Sequence, residues 1–424
     1  MDENMPHNKV KPPLESAGIA DGGLSVQESP IRNPQSVIHN PLAWCALLVS
    51  LFCLPAWGEG EQWLQYRESS EPHRILRNEE GRVLELTSEA GEGLDLPAVS
   101  NRARFAQWPT AMVPDGFLWI VLDQAREDGP RDKLWIDSDG NKRISDETPV
   151  PGLVEGKRVF FDRVRVLFQG ADGSVFYHLN FEVSEETDSP RLSAKSGGWY
   201  EGEIRAGGRT RWCELLDHDV NGRFNDKSID FGKSDLIRIG ERGGSDVCLV
   251  GDYIEVDKKL YSLEVAPDGA NVRLAKAKKV RFGKVRVLDG ITELVAGGET
   301  GMFTLVPRKG IAKLPVGDYR VYQWTLERKD ANGAVWKVQG HSLGNPEILR
   351  AAKGKEVKIA AGKRIVSRLE AVKEYDARVF SPSVRGAEGE TLLLTRNGEP
   401  YRGYRVRIRN ADGAYDQVFP FSYG

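Results

Sequence analysis

The sequence predicts an all-β protein, with two or more β-sandwich-like domains after an N-terminal signal segment. Three observations carry that prediction. Glycine and proline number 45 and 22 among 424 residues, above their usual combined share of ~12%, so turns are frequent. Apolar residues recur at every second position over short runs, the period of a half-buried strand. No stretch beyond Gln62 repeats its apolar residues at helical spacing.

The first element is not a strand. Ala43 to Leu54 reads AWCALLVSLFCL. That run is too short for a bilayer span of ~20 residues and suits the core of a signal peptide. Pro55 interrupts it, and Ala56-Trp57-Gly58 places small residues where signal peptidase needs them, so cleavage is expected after Gly58. Residues 1–58 are therefore read as a polar lead plus signal peptide, either removed or retained as an anchor. The compartment implied is secreted, periplasmic or cell envelope.

The body divides into a region over 59–280 and a second over 281–424, with the boundary near 277–284, where AKAKKVRFGK breaks the apolar alternation. In the first region Lys157 to Gln169 alternates through Val159, Phe161, Val164, Val166 and Phe168, and its phase slips at Asp162-Arg163 as at a bulge. After the turn Ala171-Asp172-Gly173, Ser174 to Val183 completes a hairpin. Further strands are expected at Trp199–Arg205, Leu236–Gly240, Tyr253–Val256, Leu260–Val265 and Val272–Ala275. In the second region they are expected at Lys284–Leu288, Gly301–Val306, Asp318–Glu327, Val335–Gln339, Glu356–Ala360, Thr391–Thr395, Tyr404–Ile408 and Gln417–Phe421. Short strands at this density, separated by Asp/Asn/Gly turns, suit a β-sandwich.

Composition and motifs exclude several functions. Net charge is -3 with acids and bases interspersed, which does not fit a nucleic-acid partner. There is no HExxH, no GxSxG and no phosphate-cradling glycine loop after a strand, so zinc-protease, serine-hydrolase and nucleotide-binding signatures are all missing. Cys213 and Cys248 could form one disulfide in an oxidising compartment, or remain two thiols in neighbouring strands. The tryptophans of the body, among them Trp108, Trp135, Trp199 and Trp324, are read as core filling in sheets.

Two segments carry chemistry. Asp217 to Ser228 reads DHDVNGRFNDKS, and Asp137 to Thr148 reads DSDGNKRISDET. Calcium takes six to eight oxygens at ~2.3–2.6 Å, and one tight loop supplies them from its first, third and fifth side chains and its seventh carbonyl. Asp217, Asp219 and Asn221 take the first, third and fifth positions, Gly222 the sixth and Arg223 the seventh, with Phe224 as an apolar pin. Ser228 stands where an EF-hand has glutamate, so Asp226, Asp230 or Asp235 has to close the site. In the other loop Asp137, Asp139 and Asn141 take the same positions and Ile144 is the pin; its glycine, Gly140, is fourth and Lys142 is sixth, and Asp146 or Glu147 has to close it. The alternative for both is an Asx-rich turn that uses the same residues without metal. Strand-like flanks, not helices, make these calcium-type loops borne on β-hairpins.

The segments LWIDSDGNKRISDE, CELLDHDVNGRFND with KSDLIRIG, GDYIEVDKKLYSLEV, LPVGDYRVYQWTLERKDANGAVW and the closing PFSYG resemble a group of exported proteins from planctomycete-type bacteria, mostly without an assigned activity. The resemblance implies EF-hand-like or dockerin-like calcium loops followed by a transthyretin-like or immunoglobulin-like sandwich. The expected function is a non-catalytic exported protein, stiffened by calcium, whose partner is a protein or glycan of the envelope or exterior. The alternatives are a carbohydrate-active hydrolase using two acids of the 217–235 cluster and a purely structural envelope protein.

Overall fold

The phase slip at Asp162-Arg163 is a β-bulge. A computed structural model describes residues 60–71, 81–170, 173–185, 189–342, 346–374, 377–386 and 388–421. In it Arg158–Gly170 pairs antiparallel with Gly173–Ser184, and the register shifts between Leu179 and Phe181. Arg163 takes φ 51° there and donates its backbone N–H to Asn180 Oδ1 at 2.8 Å. The extra residue keeps the pattern in phase: Val159, Phe161, Val164, Val166 and Phe168 are each at most 2% exposed. The signal run, the Ala171-Asp172 turn and the last three residues of PFSYG lie outside the described residues.

The chain is all-β. Strand makes up 56% of the described residues, and among them no helix reaches seven residues. The N-terminal part of the body carries four sheets. One has five strands, in the order Arg82–Leu84, Arg191–Ser196, Gly173–Ser184, Arg158–Gly170, Leu153–Glu155. A second five-stranded sheet runs Cys248–Leu249, Leu236–Gly240, Arg209–Leu216, Gly198–Ala206, Gln65–Glu68. A four-stranded sheet joins Arg104–Pro109, Phe117–Asp123, Lys133–Ile136 and Val150–Pro151, and another joins Glu61–Trp63, Asn271–Lys276, Lys259–Val265 and Tyr253–Val256. Their inner faces share one apolar cluster that runs from Leu64 to Leu274 and includes Trp108 and Phe224.

A second cluster, Val285 to Ala361, is built around Tyr319 and Trp324. It is covered by a three-stranded sheet (Ile311–Pro315, Phe282–Arg286, Glu356–Lys358) and by a nine-stranded sheet that takes in Gly317–Lys329, Val335–His341 and Thr391–Arg396. The two parts touch. Tyr253 donates its N–H to the Thr300 carbonyl at 2.9 Å, Tyr322 its hydroxyl to the Ile229 carbonyl at 2.8 Å, and Arg320 pairs with Asp230 at 3.0 Å. Cys213 and Cys248 are both free thiols; they sit opposite Ile239 and Ile237 on the strand that separates them. Trp108, Trp135 and Trp324 are buried, while Trp63 is exposed.

Candidate metal centres

Each of the two acidic loops connects adjacent antiparallel strands, whose last pairs bring the two ends of the loop together. Arg209–Leu216 enters the first of these connections and Leu236–Gly240 leaves it, with Leu216 paired to Leu236. One step beyond that pair, Asp217 faces Asp235. Both are fully buried. Asp219 comes back over them, and Asp217, Asp219 and Asp235 each offer a carboxylate oxygen within 4.8 Å of the others. Oxygens bound to one calcium at ~2.4 Å can be at most ~4.8 Å apart, so the three fit around a single ion.

The loop backbone orients these carboxylates. Asp217 Oδ2 accepts from Gly222 N–H at 2.6 Å, Asn221 N–H at 3.0 Å and the Tyr177 hydroxyl at 2.8 Å. Asp235 accepts from His218 N–H on Oδ1 at 3.1 Å and from Asp226 N–H on Oδ2 at 2.7 Å. Asn221 donates its side-chain amide to Asp219 at 3.0 Å and to Asp226 at 2.8 Å, and its Oδ1 accepts from Arg223 N–H at 2.8 Å. Asp219 Oδ1 is buried without a hydrogen-bond partner, as is Asn225 Oδ1. Phe224, the apolar pin, is 1% exposed and meets Tyr177 and Tyr200 edge-on, with centroids at 6.0 and 5.1 Å. The Val220 carbonyl accepts from Trp108 Nε1 at 2.8 Å, which ties the loop to the neighbouring sheet.

The second connection repeats the plan on fewer residues. Lys133–Ile136 enters and Val150–Pro151 leaves, with Leu134 paired to Val150. Beyond that pair the chain turns through the 3-10 helix Ile144–Asp146, and Glu147 follows it. Asp137, Asp139 and Glu147 form the corresponding group within 4.8 Å. Ser138 N–H donates to Glu147 Oε1 at 2.5 Å and Lys142 N–H to Asp137 Oδ2 at 3.1 Å. Asn141 bridges Asp139 and the Arg143 N–H, as Asn221 bridges Asp219 and the Arg223 N–H. Ile144 is fully buried, with Phe105, Val121 and Trp135 around it. Asp137 is 2% exposed and its Oδ1 has no hydrogen-bond partner.

Of the residues expected from sequence, the structure brings together Asp217, Asp219 and Asp235 in one loop and Asp137 and Asp139 in the other, with Asn141 and Asn221 as internal bridges. Asp226 reaches Asn221 but lies outside its acidic group, and Asp230 is turned onto Arg320. Asp146 is exposed and faces Arg143 at 3.7 Å; the closing acid is its neighbour Glu147. Arg223, expected to offer its carbonyl, donates its backbone N–H to Asn221 Oδ1. Tyr177 and Asn225 were not anticipated. A polar hydroxyl in an otherwise apolar strand face marked the first, and an amide at the ninth loop position marked the second.

The electrostatics favour a cation. Burial pushes the carboxyls of Asp217 and Asp235 well above the usual carboxylate range; Asp219 adds to the first shift and Asp217 to the second. Asp219 is raised by burial and then by Asp226. Burial likewise raises Asp137 and Glu147. Among the described residues no ion pair engages Asp217, Asp219 or Asp235. Buried charge without a counter-ion is costly, and a divalent ion at the common focus removes that cost. Each of the two clusters could therefore hold a metal ion. Comparison with known protein families, curated proteins and solved structures finds no match for the chain.

Proposed function

We propose that this chain is an exported, non-catalytic β-domain protein whose two hairpin loops bind calcium as structural ions. Its partner on this reading is a protein or glycan of the cell envelope or exterior. The observation that carries the metal assignment is the triad of Asp217, Asp219 and Asp235, with its oxygens within 4.8 Å and two of its members fully buried. Oxygen-only donors suit a hard cation of calcium's radius; magnesium demands a tighter octahedron at ~2.0–2.1 Å and keeps its waters. The convergence of the acids on one point also speaks against the hydrolase reading, which needs two carboxylates facing each other across a substrate, roughly 5–9.5 Å apart. Ions held this way fix the connection between two strands of one sheet and do not open and close a helix pair.

Export rests on the apolar run Ala43 to Leu54 and the small residues after it. Two measurements test the proposal. N-terminal sequencing of the product released from cells is expected to begin at Glu59, and a full-length cytoplasmic product would sink the export assignment. Elemental analysis of the purified protein is expected to find calcium, with melting lowered by chelation and restored by calcium but poorly by magnesium. Melting indifferent to both calcium and chelator would leave the loops as Asx-rich turns.

A further inference from the structure

The nine-stranded sheet ends in a long hairpin, Ile365–Glu374 paired with Ala377–Gly386. Its returning strand meets the rest of the sheet through one pair, Arg385 with Thr391. On the other side Ile365–Glu374 has no strand beside it among the described residues. Every residue from 363 to 373 is exposed, including Ile365 at 49%, Leu369 at 48% and Val372 at 55%. A free strand of this length leaves a row of N–H and C=O groups open for pairing.

Proteins commonly protect such edges with like charges, which repel a second copy. The charges here do the opposite. Along one face of the strand the residues are Val366, Arg368, Glu370 and Val372. They are arranged symmetrically about Leu369, with opposite signs on either side. A second copy running antiparallel with its two-fold axis at Leu369 sets Arg368 opposite the partner's Glu370 and Val366 opposite the partner's Val372, each twice. Leu369 meets its own counterpart on the other face. An axis through Arg368 would instead set Arg368 against itself, and one through Glu370 would do the same to Glu370. A continuous sheet keeps each face on its own side, so a one-residue slip is not open to it.

We infer that two copies of this chain pair through the Ile365–Glu374 edge, antiparallel about Leu369, and extend the nine-stranded sheet across an isologous dimer. The occupant of the edge is thus a second copy, selected by the self-complementary order of charge. The purified chain is expected to show a monomer–dimer equilibrium by sedimentation. Arg368→Glu places glutamate opposite Glu370 twice, and it should weaken the dimer at least about tenfold, because like charges directly opposite destabilise a strand pair. Glu370→Arg should do the same. The double exchange R368E/E370R reverses both signs and should restore dimerisation to within about threefold of the parent, since the cross-strand charge pairs are again opposite. All these side chains are exposed, and circular dichroism should be unchanged across the set. Three outcomes would overturn the inference: a monomer at every concentration, a dimer indifferent to R368E, or a double variant as weak as the single ones. A monomer whose 365–374 amides resist hydrogen exchange would overturn it too, and would give the edge to a segment of the same chain.

Discussion

Lys142 and Gly222 hold the same left-handed backbone, at φ 64° and 88°, and each aims its N–H at the aspartate that opens its loop, 3.1 Å to Asp137 Oδ2 and 2.6 Å to Asp217 Oδ2. The fourth residues of the loops match as well: Gly140 has φ 76° and Val220 φ 55°. Each loop therefore needs two left-handed residues and spends its one glycine differently. A non-glycine residue in that region costs ~1–2 kcal/mol, so the backbone of both loops is held by what surrounds it.

That strain gives an asymmetric prediction. Lys142→Gly is expected to stabilise the protein by roughly 0.5–1 kcal/mol, because glycine adopts the left-handed region without steric cost. The exposed Lys142–Asp115 pair at 2.6 Å offsets little of this. Gly222→Ala should cost about 1–3 kcal/mol, since a Cβ there would also lie 3.0 Å from the Phe168 ring and 3.1 Å from Thr110 Oγ1. Urea unfolding of both variants checks the opposite signs.

Removal of one carboxylate charge tests the deeper site. Asp217→Asn leaves a side chain that can still accept from Tyr177 and Gly222 but withdraws the anionic ligand. At calcium 100 times above Kd, binding to the folded state contributes ~2.7 kcal/mol. The variant should lose most of the calcium-dependent rise in Tm, and Asp235→Asn should behave alike. A calcium response equal to that of the parent protein would remove Asp217 from the ligand set.

The closing acid of the smaller loop can be tested by stoichiometry. Glu147→Gln is expected to reduce the calcium bound per chain from two to one, read by equilibrium dialysis. Asp146→Asn, one residue away and exposed, should leave it at two. A reversed result would make Asp146, not Glu147, the closing acid.

His178 gives a pH dependence separate from the loops. The ring lies under Tyr66 with centroids at 5.6 Å, and its Nε2 is 3.2 Å from Glu68 Oε2. Burial lowers its pKa below the usual 6.5; Glu68 opposes this, and Arg165 and Arg163 reinforce it. A depressed folded-state value means that the neutral ring is the one the fold accommodates. Its contribution is present above the unfolded-state pKa and is lost as pH falls through the folded-state value. Between about pH 8 and about pH 5, the span over which histidine titrates, the parent protein should lose more Tm than His178→Gln, compared at saturating calcium. Equal losses would remove His178 as the source.

Much of the fold was legible because strand alternation is local. The bulge at Asp162-Arg163 could be read from one slipped phase, and Leu236–Gly240 and Tyr253–Val256 begin and end where their patterns do. Phe117–Asp123, FLWIVLD, escaped because most of it is buried on both faces and a continuous apolar run has no period. The strand Ile365–Glu374 escaped for the converse reason: from 365 to 373 both faces are exposed, and polar residues interrupt the apolar ones on either side.

The chain order alone placed both Asp-x-Asp-x-Asn loops, their buried pins Phe224 and Ile144 and the strands that carry them, since each of these depends on neighbours a few residues away. It left Asp226, Asp230 and Asp235 as equals for one site, and Asp146 and Glu147 for the other. Only the pairing of Leu216 with Leu236 and of Leu134 with Val150 separates them. That pairing brings the two ends of each loop together, and the turn between them, with a short 3-10 helix at Ile144–Asp146 and another at Phe231–Lys233, leaves Asp146 exposed and Asp230 on Arg320 while Glu147 and Asp235 reach the focus. Register is a relation between segments distant in sequence, and it exists once the sheets have formed.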